Sequence, residues 1–171
     1  MQTSSSPKNL YFKVNAEVKS IIGKDLINND NIAVLELVKN AYDANSPHVT
    51  IHFENIKDTS NKDSIIIEDQ GHGMSFDDLK MKWLNIAYSE KKIDRIKGTR
   101  RVAGNKGVGR FSCDRLGKEL DMFTRVKGGN IIHLNINWED FENVEQDEEV
   151  NKIPVKYSFV DESTVATETS F

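Results

Sequence analysis

Two polar side chains stand four residues apart in the apolar segment LELVKNAYDA: Glu36 and Asn40, with Asp43 three residues further on. On a helix the first two project about 40° apart and lie roughly 6 Å apart along the axis, so both can address one place. A carboxylate carried on so apolar a helix costs several kcal/mol if it is buried without a partner. It therefore points either to a ligand site or to a structural arrangement in which Glu36 pairs with a basic side chain and Asn40 caps a neighbouring backbone. A second candidate is the turn Asp69-Gln70-Gly71-His72-Gly73-Met74. Two glycines one residue apart let the backbone bend sharply and approach a ligand closely. Asp69, at the end of an apolar run, offers an acceptor that suits the exocyclic amine of adenine, although many such sequences are plain strand-terminating turns. The third is Gly104-Asn105-Lys106-Gly107-Val108-Gly109-Arg110, a glycine-rich loop that runs into a helix. Free backbone N–H groups, the helix dipole, Lys106 and Arg110 together suit a polyphosphate. The loop lacks the GK[ST] ending of a P-loop and does not follow a clear strand as a dinucleotide fingerprint should.

These residues need elements to hold them. Tyr11 to Ile27 carries Val14, Val18, Ile21 and Ile22 at helical spacing, with Gly23 weakening the end. Asn28 to Asn31 is a run of capping side chains, and a second helix, IAVLELVKNAYDA, starts near Asn31. Apolar on more than one face, it is expected to pack deep. Ser46 and Pro47 stop it. HVTIHF (His48 to Phe53) alternates as a strand, and Ile65 to Ile67 forms a short apolar strand that ends at Asp69. SFDDLKMKWLNIA reads as a helix with Ser75 as N-cap and Asp77 and Asp78 in its first turn. Residues 88 to 109 read as a loop. FSCDRLG is a helix ending near Gly117; ELDMFTRV, the turn KGGN and IIHLNINW form an antiparallel hairpin; VKYSFV (155 to 160) is a further strand. The expected fold is α+β, a two-layer α/β sandwich with helices on one face of a mixed, largely antiparallel sheet.

A chain of 171 residues, 37% hydrophobic and 29% charged with three prolines, supports one globular domain. Residues 1–9 read as a loose polar lead-in and 10–171 as the domain. No apolar run approaches the roughly 18 residues of a membrane helix, and the amino terminus lacks a secretory signal, so a cytoplasmic chain without membrane contact is expected. The single cysteine, Cys113, cannot form an internal disulfide and is read as packing. A net charge of −4 argues against a dedicated nucleic-acid-binding module. The charge is uneven, however: eight basic residues and one acid lie between Lys91 and Arg110, whereas Glu139 to Glu149 holds seven acids and no base.

Taken together, ELVKNAYDA, DQGHGM and GNKGVGRFS, in this order and spacing, resemble the three motifs of the GHKL superfamily of gyrase-type topoisomerases, ninety-kilodalton heat-shock chaperones, histidine kinases and MutL-type mismatch-repair proteins. The likeness covers residues 14 to 126 and implies a Bergerat-type ATP-binding fold with ATP and Mg²⁺ as ligands. It implies that Glu36 is the general base that polarises the attacking water, that Asn40 binds Mg²⁺, and that Asp43 and Gly71 belong to the nucleotide pocket. Asp69 would accept the adenine amine, with Thr124 supporting it through water, and Gly73 and Met74 would line the base. Gly104, Asn105, Lys106, Gly107, Val108 and Gly109 would wrap the phosphates. The stretch from Met74 to Gly104 corresponds to the family's mobile lid, and IAYSEKK, with Ser89 and Lys91, is similar to the lid of the MutL and MORC branches.

Histidine kinases transfer the phosphoryl group to histidine and need no water-activating base, so Glu36 favours a hydrolase; nothing resembles a phosphoacceptor helix. His48, His52, His72 and His133 sit in strand or turn contexts suited to ordinary surface or core roles, and Trp83 and Phe111 read as packing. The resemblance thus implies an ATP-hydrolysing switch that dimerises on binding ATP within a larger protein, in DNA transactions or defence. The alternatives are an ATP-binding interaction module with negligible hydrolysis in isolation, a chaperone-like ATPase, and a nucleic-acid surface at residues 91 to 110. GHKL domains often continue into strands introduced by a Gly-Thr pair, which is missing before Phe171, so the domain is expected to be truncated at its C-terminal end.

Overall fold

The computed structural model describes residues 7–12, 29–55, 63–85, 96–97, 100–101, 109, 112–142 and 154–168. Two compact units divide the chain, one of Met1–Val18, Gly73–Tyr88 and Lys118–Phe171, the other of Lys19–His72 and Ser89–Gly117. The strands in chain order are β1 (Lys8–Tyr11), β2 (Val49–Glu54), β3 (Ser64–Asp69), β4 (Ile96–Lys97), β5 (Arg100–Arg101), β6 (Glu119–Thr124), β7 (Ile131–Asn137) and β8 (Pro154–Val160). The helices are α1 (Asp30–Asp43), α2 (Phe76–Asp78, continued by a wider turn over Leu79–Trp83), α3 (Ser112–Leu116), α4 (Glu139–Glu142) and α5 (Glu162–Glu168). Helices and antiparallel ladders make the fold α+β, as the sequence pattern requires.

The first unit is built on a four-stranded sheet in the order β1-β8-β7-β6. Ile132, Leu134 and Ile136 alternate along β7 and are almost wholly buried. Opposite them in register, Tyr157 and Phe159 of β8 face the same side. Phe76 of α2 stacks its ring 5.1 Å from Tyr157 and 6.0 Å from Phe159, so α2 covers the apolar face. The opposite face is polar, where Asp121 Oδ1 accepts from Asn135 Nδ2 at 2.8 Å and pairs with His133 Nε2 at 2.8 Å. The His133 ring lies flat on Phe123 with centroids 4.4 Å apart.

Strand β1 corrects the reading of the amino terminus, because Tyr11 closes a strand instead of opening a helix. Four residues, two of them polar, carry too little alternation to announce a strand. What makes them one is pairing with β8, Lys8 opposite Tyr157 through Tyr11 opposite Pro154, a partner almost the whole chain away. From residue 13 onward the expected first helix lies outside the described residues.

At the start of α2 the Ser75 hydroxyl accepts from the Asp78 N–H at 3.1 Å, and Asp78 Oδ2 accepts from the Ser75 N–H at 3.1 Å, a reciprocal capping box. Lys82 and Ser75 donate to the Asp78 carboxyl and hold it down at about 2. Because the folded value is depressed, the stabilisation is complete above the ordinary carboxylate range and disappears as pH falls from about 4 to about 2. Ser75→Ala is therefore expected to cost about 1 kcal/mol at pH 7. Urea melts should show that difference narrowing in part over the acid window, as the Ser75 hydroxyl loses its bond to the Asp78 carboxylate but keeps the one from the Asp78 N–H; a constant difference down to pH 2 would assign the whole loss to the N–H cap.

Beyond Asp78 the helix widens. Leu84 N–H donates to Leu79 C=O at 2.8 Å, a five-residue span. Leu79 and Leu84 are both fully buried, and Trp83 meets Phe12 with centroids 6.1 Å apart, which accords with a packing role for Trp83. No helix among the described residues is long and apolar enough to cross a membrane.

In the second unit α1 packs against α3 and touches β3, which pairs with β2 over six residues. Asn29 caps α1, its side chain accepting from the Asn31 N–H at 2.8 Å. Arg115 of α3 donates to Asp30 Oδ1 at 2.7 Å, tying the two helices at one end. The expected deep packing of α1 is corrected: only Ala33 and Ala41 of this helix are buried, while Leu35 is 51% exposed and Ile32 and Tyr42 are also largely open. Apolar residues around a helix read from sequence as burial, but here the packed side is a narrow one centred on two alanines. Cys113 lies half-buried on α3, and burial pushes its thiol up to about 12, which keeps it neutral. The loop expected over 88–109 contains a short antiparallel pairing, Ile96 with Arg101 and Lys97 with Arg100.

Candidate functional site

Glu36, Asn40 and Asp43 share one face of α1 by their helical spacing. Asn40 is exposed, while Glu36 and Asp43 are partly covered. Glu36 is not buried bare: Lys39 Nζ donates to its Oε1 at 2.7 Å. That is the basic partner which the structural alternative called for, although both side chains stay partly open, at 34% for Lys39 and 25% for Glu36. Oε2 of Glu36 and the side-chain amide of Asn40 have no hydrogen-bond partner among the described residues.

Gly109, the last glycine of the GNKGVG loop, stands directly over this pair. A Cβ at Gly109 would come 3.1 Å from Glu36 Oε2 and 3.7 Å from Asn40 Oδ1. The absence of a side chain lets the backbone approach both polar groups closely, and a Cβ there would press on Glu36 Oε2. The first and third motifs, some seventy positions apart in sequence, thus meet at Glu36, Asn40 and Gly109. Gly104, Asn105, Lys106, Gly107 and Val108 lie outside the described residues, as do Ser89, Lys91, Arg110 and Phe111.

Asp69 ends β3 with an exposed carboxyl whose Oδ1 accepts the Gly71 N–H at 2.7 Å. This short turn fixes the orientation of the carboxylate, and no described donor reaches Oδ2. The turn is bound to the end of α1: Gln70 N–H donates to Ser46 Oγ at 2.8 Å, and His72 N–H donates to Ala44 C=O at 2.9 Å. Buried Ser46 also donates to His48 C=O at 2.6 Å. Ser46 is a positioning residue that the sequence reading took only as a helix stop; a small hydroxyl residue just past a helix end was the available signal.

In the other unit Gly73 has φ +64°, and a Cβ there would fall 1.8 Å from the Arg125 carbonyl oxygen. Met74 N–H donates to Thr124 Oγ1 at 2.9 Å. Thr124, the residue expected to support Asp69 through water, ties Met74 to the end of β6 by this bond.

The donor set can be tested against Mg²⁺ and ATP. Among the described residues no cluster of three His, Cys, Asp or Glu side chains is placed to hold a metal. A hard cation that keeps waters and takes phosphate oxygens needs few protein ligands. The amide oxygen of exposed Asn40, close to the Gly109 backbone, fits that requirement, and an oriented carboxylate at Asp69 fits an exocyclic amine.

Similarity to known proteins agrees with this geometry. Over 104 residues the chain is 33% identical to a putative type II restriction enzyme, HgiDII, of Herpetosiphon aurantiacus; the match takes in 58% of this chain and 16% of that relative. The chain therefore spans a small part of the relative's length. The family model described as histidine kinase-, DNA gyrase B-, and HSP90-like ATPase matches residues 27–168, which include α1, the Asp69 turn and Gly109. With most of its length matched, and with ATP binding as what the family implies, the chain belongs to the histidine kinase-, DNA gyrase B- and HSP90-like ATPases, the GHKL group.

Proposed function

We propose that this domain hydrolyses ATP with Mg²⁺ and serves as an ATP-gated switch of a larger protein. The observation that carries the reading is the meeting of Glu36, Asn40 and Gly109, which sets a carboxylate oxygen and an amide oxygen beside the phosphate loop's final glycine. Glu36 Oε2 accepts the proton of the attacking water, and general-base help of this kind contributes about 10²–10⁴-fold. Asn40 Oδ1 would hold the cation, which would neutralise charge on the phosphates. Asp69 Oδ2 accepts the adenine amine while Gly71 N–H keeps the carboxylate turned. Gly73 and Met74 keep the base-lining role that family resemblance implies, Thr124 the water-mediated support of Asp69, and Asp43, Gly104, Asn105, Lys106, Gly107, Val108, Ser89 and Lys91 their places around the nucleotide.

The name of the restriction-enzyme relative supports a whole protein that acts on DNA. We further propose, as the sequence leads one to expect, that ATP binding promotes homodimerisation and that the setting is cytoplasmic. Dimer gating gives the reading a direct test. Turnover per subunit is expected to rise with protein concentration and to vanish when Mg²⁺ is chelated. A rate per subunit that is flat and near zero at all concentrations, with ATP still bound, would reduce the domain to a nucleotide-binding module.

A further inference from the structure

Lys39 follows Glu36 by three positions on α1, so the two side chains are neighbours on the helix surface. Lys39 Nζ reaches Glu36 Oε1 at 2.7 Å, and neither side chain has another polar partner among the described residues. The two carboxylate oxygens are thereby divided in use. Oε1 is held by the ammonium, and Oε2 is left 3.1 Å from the point where a Cβ on Gly109 would stand.

A partly exposed pair of this kind adds little to fold stability. Its consequence here is geometric. An unpaired glutamate side chain samples several rotamers, and a reacting group misplaced by about 1 Å can lose 10²-fold in rate. We propose that Lys39 is a positioning residue for hydrolysis: by anchoring Oε1 it turns Oε2 of Glu36 towards Gly109. The proposal rests on the reading of Glu36 as the general base. Lys39 itself touches neither water nor phosphate in this scheme.

Lys39→Met removes the ammonium while keeping a long, helix-compatible stem. In the full 171-residue chain it is expected to lower kcat for Mg-ATP about tenfold, a fraction of what loss of the base costs. KM, equilibrium ATP affinity and melting temperature should stay close to the parent. Lys39→Arg, which keeps a cationic donor, should recover most of the rate. In a Glu36→Gln background Lys39→Met should have no further effect, since no base is left to aim.

The outcomes separate the two ideas. If Glu36→Gln keeps full turnover, the hydrolytic reading fails and this one with it. If Glu36→Gln is inactive but Lys39→Met shows unchanged or faster turnover, only the role of Lys39 is overturned. An equal loss from Lys39→Met in both backgrounds, or an ATP affinity that falls in step with kcat, likewise overturns it.

Discussion

Glu36→Gln is expected to lower ATP turnover by about 10²–10⁴-fold while leaving ATP affinity essentially unchanged. The substitution preserves shape, and the amide oxygen can still accept from Lys39 Nζ, which lies 2.7 Å from Oε1. What is lost is an oxygen that can take up a proton beside Gly109. Steady-state hydrolysis and equilibrium binding of ATP, measured on the same preparation, separate chemistry from affinity. If Glu36 served only as the helix-surface partner of Lys39, glutamine would leave turnover intact and cost no more than a few tenths of a kcal/mol in stability. Full activity in the glutamine variant would therefore remove the general-base assignment.

The second large effect is expected at Gly73. Its φ of +64° is unfavourable for any residue with a Cβ, at about 1–2 kcal/mol. The added carbon would also overlap the carbonyl oxygen of Arg125, 1.8 Å away. Backbone cannot swing aside as a flexible side chain can, and Thr124, the residue before Arg125, holds Met74 by the 2.9 Å hydrogen bond. Gly128 supplies an internal control, since its φ is +76° and nothing lies within 4 Å of the point where its Cβ would stand. Gly128→Ala should lower the melting temperature by roughly 2–8 °C, the cost of the dihedral alone. Gly73→Ala should lower it at least twice as far or prevent folding. Equal shifts for the two variants would show that the turn yields, contrary to the close approach seen here.

Much of the local structure around the candidate site was legible, because it depends on near neighbours. The spacing of Glu36 and Asn40, the Asp69 turn and the capping of α2 by Ser75 are set by residues within a few positions of one another, and the structure places each where the pattern indicates. Less legible was whatever depends on a distant partner. Strand β1 exists through its pairing with β8, and the commitment of Thr124 to Met74 joins residues 50 positions apart. The depth of α1 was misread for a related reason. Apolar content says which surfaces could be buried, whereas the packing of α1 on α3 and β3 determines which ones are. The Lys39 to Glu36 contact was within reach of sequence, being three residues apart, but the division of the carboxylate oxygens needed the position of Gly109.

The widened turn over Leu79–Trp83 bears on how this chain tolerates changes in length. Leu79 and Leu84 are both buried, five residues apart, and the hydrogen bond between them spans one residue more than regular α-helical winding uses. The segment thus carries a surplus residue, and Met81, half exposed within it, contributes little to the core. Removing one position there would set the two leucines four apart, still on one face of an ordinary helix. The same deletion inside α1 between Glu36 and Asn40 would turn the rest of the helix, Asn40 and Asp43 included, by about 100° relative to Glu36 and the turns before it, and would disturb the face that meets Gly109.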